Sequence, residues 1–198
     1  MADWIVSFIE QYGYLGIAAL MLAENLFPPI PSELIMPFAG FVAARGDLSL
    51  AGVIGAGVVG TVVGALPWYG AGRAVGSERL ERWAERHGRW LTVSAEDLRR
   101  AERWFERHGA AAVAFGRLVP AVRSVISAPA GVARMPLHRF LVWTTAGSAV
   151  WVTVLTTLGL MLEGRYEQVE HWLNPVATGV VLLAGAVYLF RLLRARRG

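Results

Sequence analysis

The chain contains no cysteine and no lysine. Without cysteine there is no disulfide, no thiolate nucleophile and no Cys-ligated metal. Without lysine, all 19 basic residues are arginine, which stays charged throughout the physiological range. Charge of either sign is scarce. Acidic and basic residues make up 17% of the 198 positions, against about 25% in soluble domains. No basic residue precedes Arg45, so a cleavable signal peptide is not expected. What is present is apolar sequence: 55% of residues are hydrophobic and the mean hydropathy is +0.45. These proportions indicate an all-α integral membrane protein, a single membrane domain over 1–198. The basic balance then marks cytoplasmic loops and contacts with anionic lipid head groups, not nucleic acid.

Two stretches stand out. The first is Glu24-Asn25-Leu26-Phe27-Pro28-Pro29-Ile30-Pro31-Ser32-Glu33, which runs on through apolar residues to Gly40. The second is Arg117-Leu118-Val119-Pro120-Ala121-Val122-Arg123, which runs on to Gly131. Both embed charge and proline in apolar sequence. One carries two acids, the other two arginines. Four charges at membrane depth are costly unless they face each other or a water-filled cavity.

The uncharged run 12–23 and the run 34–44 each reach only about half of a ~30 Å hydrocarbon core. Three prolines in four residues between them break a helix. The segment 12–45 therefore reads as a re-entrant hairpin, with one long kinked helix as the alternative. Such backbone is tolerated at depth where protein or water satisfies it. The segment 110–134 repeats the pattern around Pro120 and reads as a second hairpin. The stretches 48–76, 137–162 and 172–191 read as transmembrane helices. Along the first of these, Gly52, Ala56, Gly60 and Gly64 form a ridge that admits another helix and leaves room for a homodimer.

The stretch 77–109 is a polar insert, read as two amphipathic helices lying on the cytoplasmic surface. Leu80, Trp83 and Ala84 share a face of the first. The second has Ser94 as its N-cap and turns Leu98, Ala101, Trp104 and Phe105 inward. Gly88 and Gly109 read as their C-terminal stops. His87 and His108 read as helix-end histidines and not as a metal pair. No metal site or cofactor is expected.

The arginine-rich insert and tail set the C-terminus in the cytoplasm. Leu50, Gly60 and Gly72 recur 87 residues later as Leu137, Gly147 and Gly159. Hairpin-plus-helix units in opposite orientation form an inverted repeat, with sites near the midplane at broken helices. Arg117, Arg123 and Glu33 are then the candidates for holding an anionic head group, because guanidinium forks match phosphate. Glu24 and Glu33 are the candidates for carrying protons. Protonating Glu33 would free Arg123 to hold a phosphate. The alternative is that the acids and arginines only join the two hairpins. No enzymatic constellation of nucleophile, base and orienting group occurs in the apolar region.

These residues resemble the DedA family of bacterial membrane proteins, the VTT or SNARE-associated superfamily. The matching pieces are Tyr12-Gly13-Tyr14-Leu15-Gly16, the Glu24 to Glu33 motif, and Gly64, Tyr69, Gly72, Arg73 and Gly76. To these are added Phe115-Gly116-Arg117, Pro120, Arg123, Ala130-Gly131, Met135, Gly147 and Trp151. The resemblance implies two re-entrant hairpins in inverted repeats. It implies translocation of undecaprenyl phosphate or a related phospholipid across the bacterial inner membrane, coupled to protons in some members. It maps the family's acids onto Glu24 and Glu33 and its arginines onto Arg117 and Arg123. Ala65 departs from the pattern, since many members carry an acid there. A proton-coupled exporter or ion antiporter is the runner-up, and a membrane phosphatase the third reading.

Overall fold

The computed structural model describes residues 2–26, 32–91 and 95–161. Among the described residues seven helices follow in order. They are α1 (Ala2–Leu26), α2 (Ser32–Ala44), α3 (Leu50–Leu91), α4 (Ala95–Gly116), α5 (Pro120–Arg123), α6 (Ser127–Val132) and α7 (Leu137–Met161). Among the described residues, three stretches are long and apolar enough to cross a membrane: Trp4–Leu26, Leu50–Ser77 and Leu137–Met161. The expected span at 172–191, the proline turn at 28–31 and the Ser94 cap lie outside the described residues.

The first arm is longer than its uncharged run implied. Residues 2–11 are themselves helical, and α1 carries on to Leu26 across a break at Gly13 (φ 56°, ψ −135°). That left-handed backbone suits glycine. Beyond the break, Ile17, Leu20, Met21, Glu24 and Asn25 are all buried. Their spacing of three and four puts them on one face. The apolar stripe that seats α1 thus carries Glu24 and Asn25 inward. α2 is only 13 residues, about 20 Å at helical rise. It is buried on nearly every side, including Pro37 in its interior. α7 buries Phe140, Thr144, Gly147, Ser148, Val152, Leu155, Thr156 and Gly159, a single stripe in which small and polar residues alternate with large ones.

Glycines set how closely the helices meet. A Cβ on Gly60 would strike the Ala18 carbonyl of α1, and one on Gly147 the Ala114 carbonyl of α4. One on Gly72 would strike the Ala128 carbonyl of α6, and one on Gly159 the Pro37 carbonyl of α2. The second arms answer in kind: Gly131 faces the Tyr69 carbonyl, and Gly40 the Thr156 carbonyl. α3 therefore lies against α1 and α6, and α7 against α4 and α2. The ridge on α3 is covered from within the chain. Gly52 meets the Tyr14 ring, Gly60 meets Ala18, and Gly64 meets Leu22 and Asn25, all on α1. At these three glycines the ridge is occupied by α1.

The insert departs from expectation in two ways. Gly88 and Gly109 do not end helices. α3 breaks at Gly76 (φ 67°, ψ 164°) and then continues through Gly88 to Leu91. α4 runs through Gly109 to Gly116. The alanines at 110, 111, 112 and 114 are strong helix formers and carry α4 onward. His108 is therefore in mid-helix and not at a helix end. Second, Phe105 is buried but Trp104 is 53% exposed and stacks on the His108 ring. Successive helical residues point about 100° apart, so one core contact cannot take both.

Gly159→Val should push α7 off the Pro37 backbone and cost about 1–3 kcal/mol. Gly55 is the control: a Cβ there would meet nothing within 4 Å. Gly55→Ala should be neutral or slightly stabilising. Thermal unfolding in detergent reads both, with a lowered Tm expected for Gly159→Val alone.

Candidate functional site

The end of α1, the start of α2 and the broken stretch α4–α5–α6 meet beside α3 and α7. Glu24 is 2% exposed, Arg117 2% and Arg123 6%. The Arg123 guanidinium donates from Nη2 to Glu24 Oε1. The same nitrogen lies 3.9 Å from Glu33 Oε2, and the Glu33 side chain is 23% exposed. Arg123 thus sits between two carboxylates, one tightly held and one looser. The Trp151 ring lies 5.8 Å from its guanidinium carbon and covers the pair from α7.

Arg117 is held differently. It donates from Nη1 to Asn25 Oδ1 at 3.2 Å and from Nη2 to Ser127 Oγ at 2.8 Å. Asn25 in turn donates to Glu24 Oε2 at 3.1 Å and to the Met21 carbonyl at 3.2 Å. Trp68 Nε1 donates to the Asn25 carbonyl at 2.9 Å, near the end of α1. Trp151 Nε1 donates to Ser32 Oγ at 3.3 Å, at the start of α2. Arg117 Nε, Thr144 Oγ1 and Ser148 Oγ are buried with no hydrogen-bond partner. A cavity of about 10 Å³, close to the space one water needs, lies among Asn25, Thr61, Arg117, Arg123, Ser148, Trp151 and Val152.

All four charges singled out in the sequence converge. The expected Glu33–Arg123 pair is present at 3.9 Å, but Glu24 is the closer partner. Glu33, read as the acid that masks Arg123, is the outer and more exposed partner. Glu24 holds Arg123 directly. Arg117 reaches the acids only through Asn25. Sequence reasoning passed over Asn25, Ser127, Thr61, Thr144 and Ser148. Their signal was present: polar residues on the buried stripe of apolar helices, with Thr144 and Ser148 one turn apart on α7. Ala65, at the position where the family pattern often has an acid, is fully buried with Tyr69, Val113 and Ala130 in an apolar cluster.

Comparison with known proteins adds the following. The VTT domain family matches residues 30–161. Undecaprenyl phosphate transporter A of Staphylococcus aureus is 32% identical over 200 residues, covering 100% of this chain and 98% of that protein. The Bacillus subtilis protein of the same name is 32% identical over 183 residues, covering 92% and 88%. A Lactococcus lactis subsp. cremoris protein named alkaline phosphatase-like is 41% identical over 194 residues, covering 98% and 91%. No solved structure matches.

Removing one partner of a buried ion pair strands the other charge at a cost of about 3–5 kcal/mol. Arg123→Met should therefore lower the Tm strongly. Adding Glu24→Gln in that background should recover most of the loss, because the stranded carboxylate is gone. Thermal unfolding of both variants in detergent checks the pairing against Glu33→Gln, which should recover less.

Proposed function

The chain belongs to the VTT domain family, the DedA family of membrane proteins, and from this premise we propose that it carries an anionic polyprenyl phosphate across the inner membrane together with protons. The observation that carries the proposal is the buried Arg123 held between Glu24 and Glu33. A guanidinium occupied by a carboxylate cannot also hold a phosphate. Protonating Glu24 removes the competing charge and releases the fork for the head group. Loss of that proton on the other side returns the carboxylate to Arg123 and expels the phosphate. The two acids balance the two arginines. A proton that arrives with a phosphate therefore keeps the buried charge close to neutral, which limits the desolvation penalty.

Alternating exposure follows from an inverted repeat. Supporting it, Gly57 on α3 meets Val152 on α7, while Thr61 and Ser148 line one cavity. Rising numbers on α3 thus meet falling numbers on α7, so the two helices run antiparallel. The reciprocal glycine contacts relate the halves by a swap. In this reading the two hairpins dip from opposite faces and rock against the long helices, with the insert and the C-terminus cytoplasmic. The relatives named as undecaprenyl phosphate transporters support the lipid assignment.

The test uses purified protein in liposomes containing undecaprenyl phosphate, following lipid phosphate accessible from outside with and without a pH gradient. Wild type should speed leaflet exchange, and the gradient should bias it. Glu24→Gln should abolish the bias. Arg123→Lys, which keeps the charge but loses the fork, should slow exchange by about tenfold or more. Free phosphate assayed in the same samples should stay at background. Its release would instead favour the phosphatase reading that the Lactococcus relative's name carries.

A further inference from the structure

A second basic cluster lies at the other end of α3, sharing no residue with the cavity at Arg117. An open pocket of about 530 Å³ is lined by Arg73, Ala74, Val75, Gly76, Ser77, Arg79 and Arg134. Three arginines line it, and no carboxylate is among the described lining residues. Arg73 is braced. Its Nη1 donates to Tyr69 Oη at 2.8 Å and to the Met135 carbonyl at 3.3 Å. At Gly76 the helix kinks (φ 67°, ψ 164°), and Gly76 and Ser77 both lie at the pocket wall.

Arg134 supplies an independent observation. α6 ends in a Schellman arrangement: Met135 N donates to Ala130 O at 3.0 Å, and Arg134 N to Gly131 O at 3.0 Å. Arg134 occupies the left-handed position of that motif, with φ 51°. Glycine is the usual and least strained occupant there. Among the described residues Arg134 is the sole non-glycine with positive φ. A backbone strained to keep a long cationic side chain, at the mouth of a pocket that two other arginines line, points to a role for that side chain.

We propose that Arg73, Arg79 and Arg134 form a phosphate-binding site at the membrane-boundary end of α3, separate from the acid–arginine centre. Its ligand is a phosphate mono- or diester or free phosphate: compact, anionic, and matched by three forks. Two sources share that chemistry, a lipid head group and dissolved phosphate.

The experiment measures thermal unfolding in two settings, exploiting the stabilisation that any ligand of the native state produces. In neutral detergent the probe is inorganic phosphate, against chloride at equal ionic strength. In nanodiscs of zwitterionic lipid the probe is added phosphatidic acid. The variants are Arg134→Gly and Arg79→Ala. Arg134→Gly relieves the strained backbone, so its Tm without ligand should equal or exceed the parent's. In both variants the apparent affinity for the effective probe should fall by about tenfold. A response to inorganic phosphate assigns the site to free phosphate as well as lipid. A response to phosphatidic acid alone assigns it to the head group. No response to either probe in the parent overturns the proposal. So does an undiminished response in both variants, which would locate binding elsewhere. Because unfolding is read without transport, failure here leaves the Glu24–Arg123 reading standing, and the converse holds.

Discussion

Everything in this molecule accommodates one cost, that of placing two arginines and an acid where water does not reach. An unpaired ion in such surroundings is penalised by many kcal/mol, so each must be paired or hydrogen-bonded. Glu24 and Arg123 satisfy each other across the two halves of the chain. Arg117 is satisfied by Asn25 and Ser127, again one residue from each half. To this centre α1 and α2 bring only acids, Glu24 and Glu33, and the stretch from α4 to α5 only arginines, Arg117 and Arg123. The centre exists only when both broken segments are brought together, so assembling the halves and assembling the site are one event.

Close backbone packing makes that assembly possible. Lipid tails are as apolar as leucine, so helices in a membrane are held by contact and hydrogen bonding. Glycine at 60, 72, 147 and 159 lets α3 and α7 approach the arms to backbone distance. The same approach brings Trp68 and Trp151 near enough to bond Asn25 and Ser32 at the two broken ends. Helix ends buried without partners would be costly. Here indole N–H groups and the asparagine side chain share that task.

How far the sequence foretold this depends on the physics of each feature. Charge and proline inside apolar runs are costly everywhere except at a buried polar centre, so Glu24, Glu33, Arg117 and Arg123 were identifiable one by one. The spacing that repeats glycines pointed to matching roles for α3 and α7. The closer pairing with Glu24 was not legible, because it depends on which faces of α1 and α2 turn inward. Glu24 shares a buried face with Ile17 and Met21, while Glu33 sits at the start of α2, partly exposed. Helix ends misled for another reason. Gly109 has the composition of a stop, but a run of alanines and the packing of Phe105 against the core outweigh its weak preference. Asn25 was overlooked as a neighbour of the charges, although it is the residue that joins Arg117 to Glu24.

The two arginines, alike in sequence, differ in what holds them. Arg117 is bound by the neutral side chains of Asn25 and Ser127 and meets the Glu24 carboxylate only through Asn25, tying the end of α1 to α6. Arg123 is held by the carboxylates of Glu24 and Glu33, with the Trp151 ring against its guanidinium. It sits at the end of α5, a helix of four residues, where its own N–H donates to the Val119 carbonyl at 3.0 Å. The difference between them therefore lies in Asn25 and Ser127 as much as in the charges themselves.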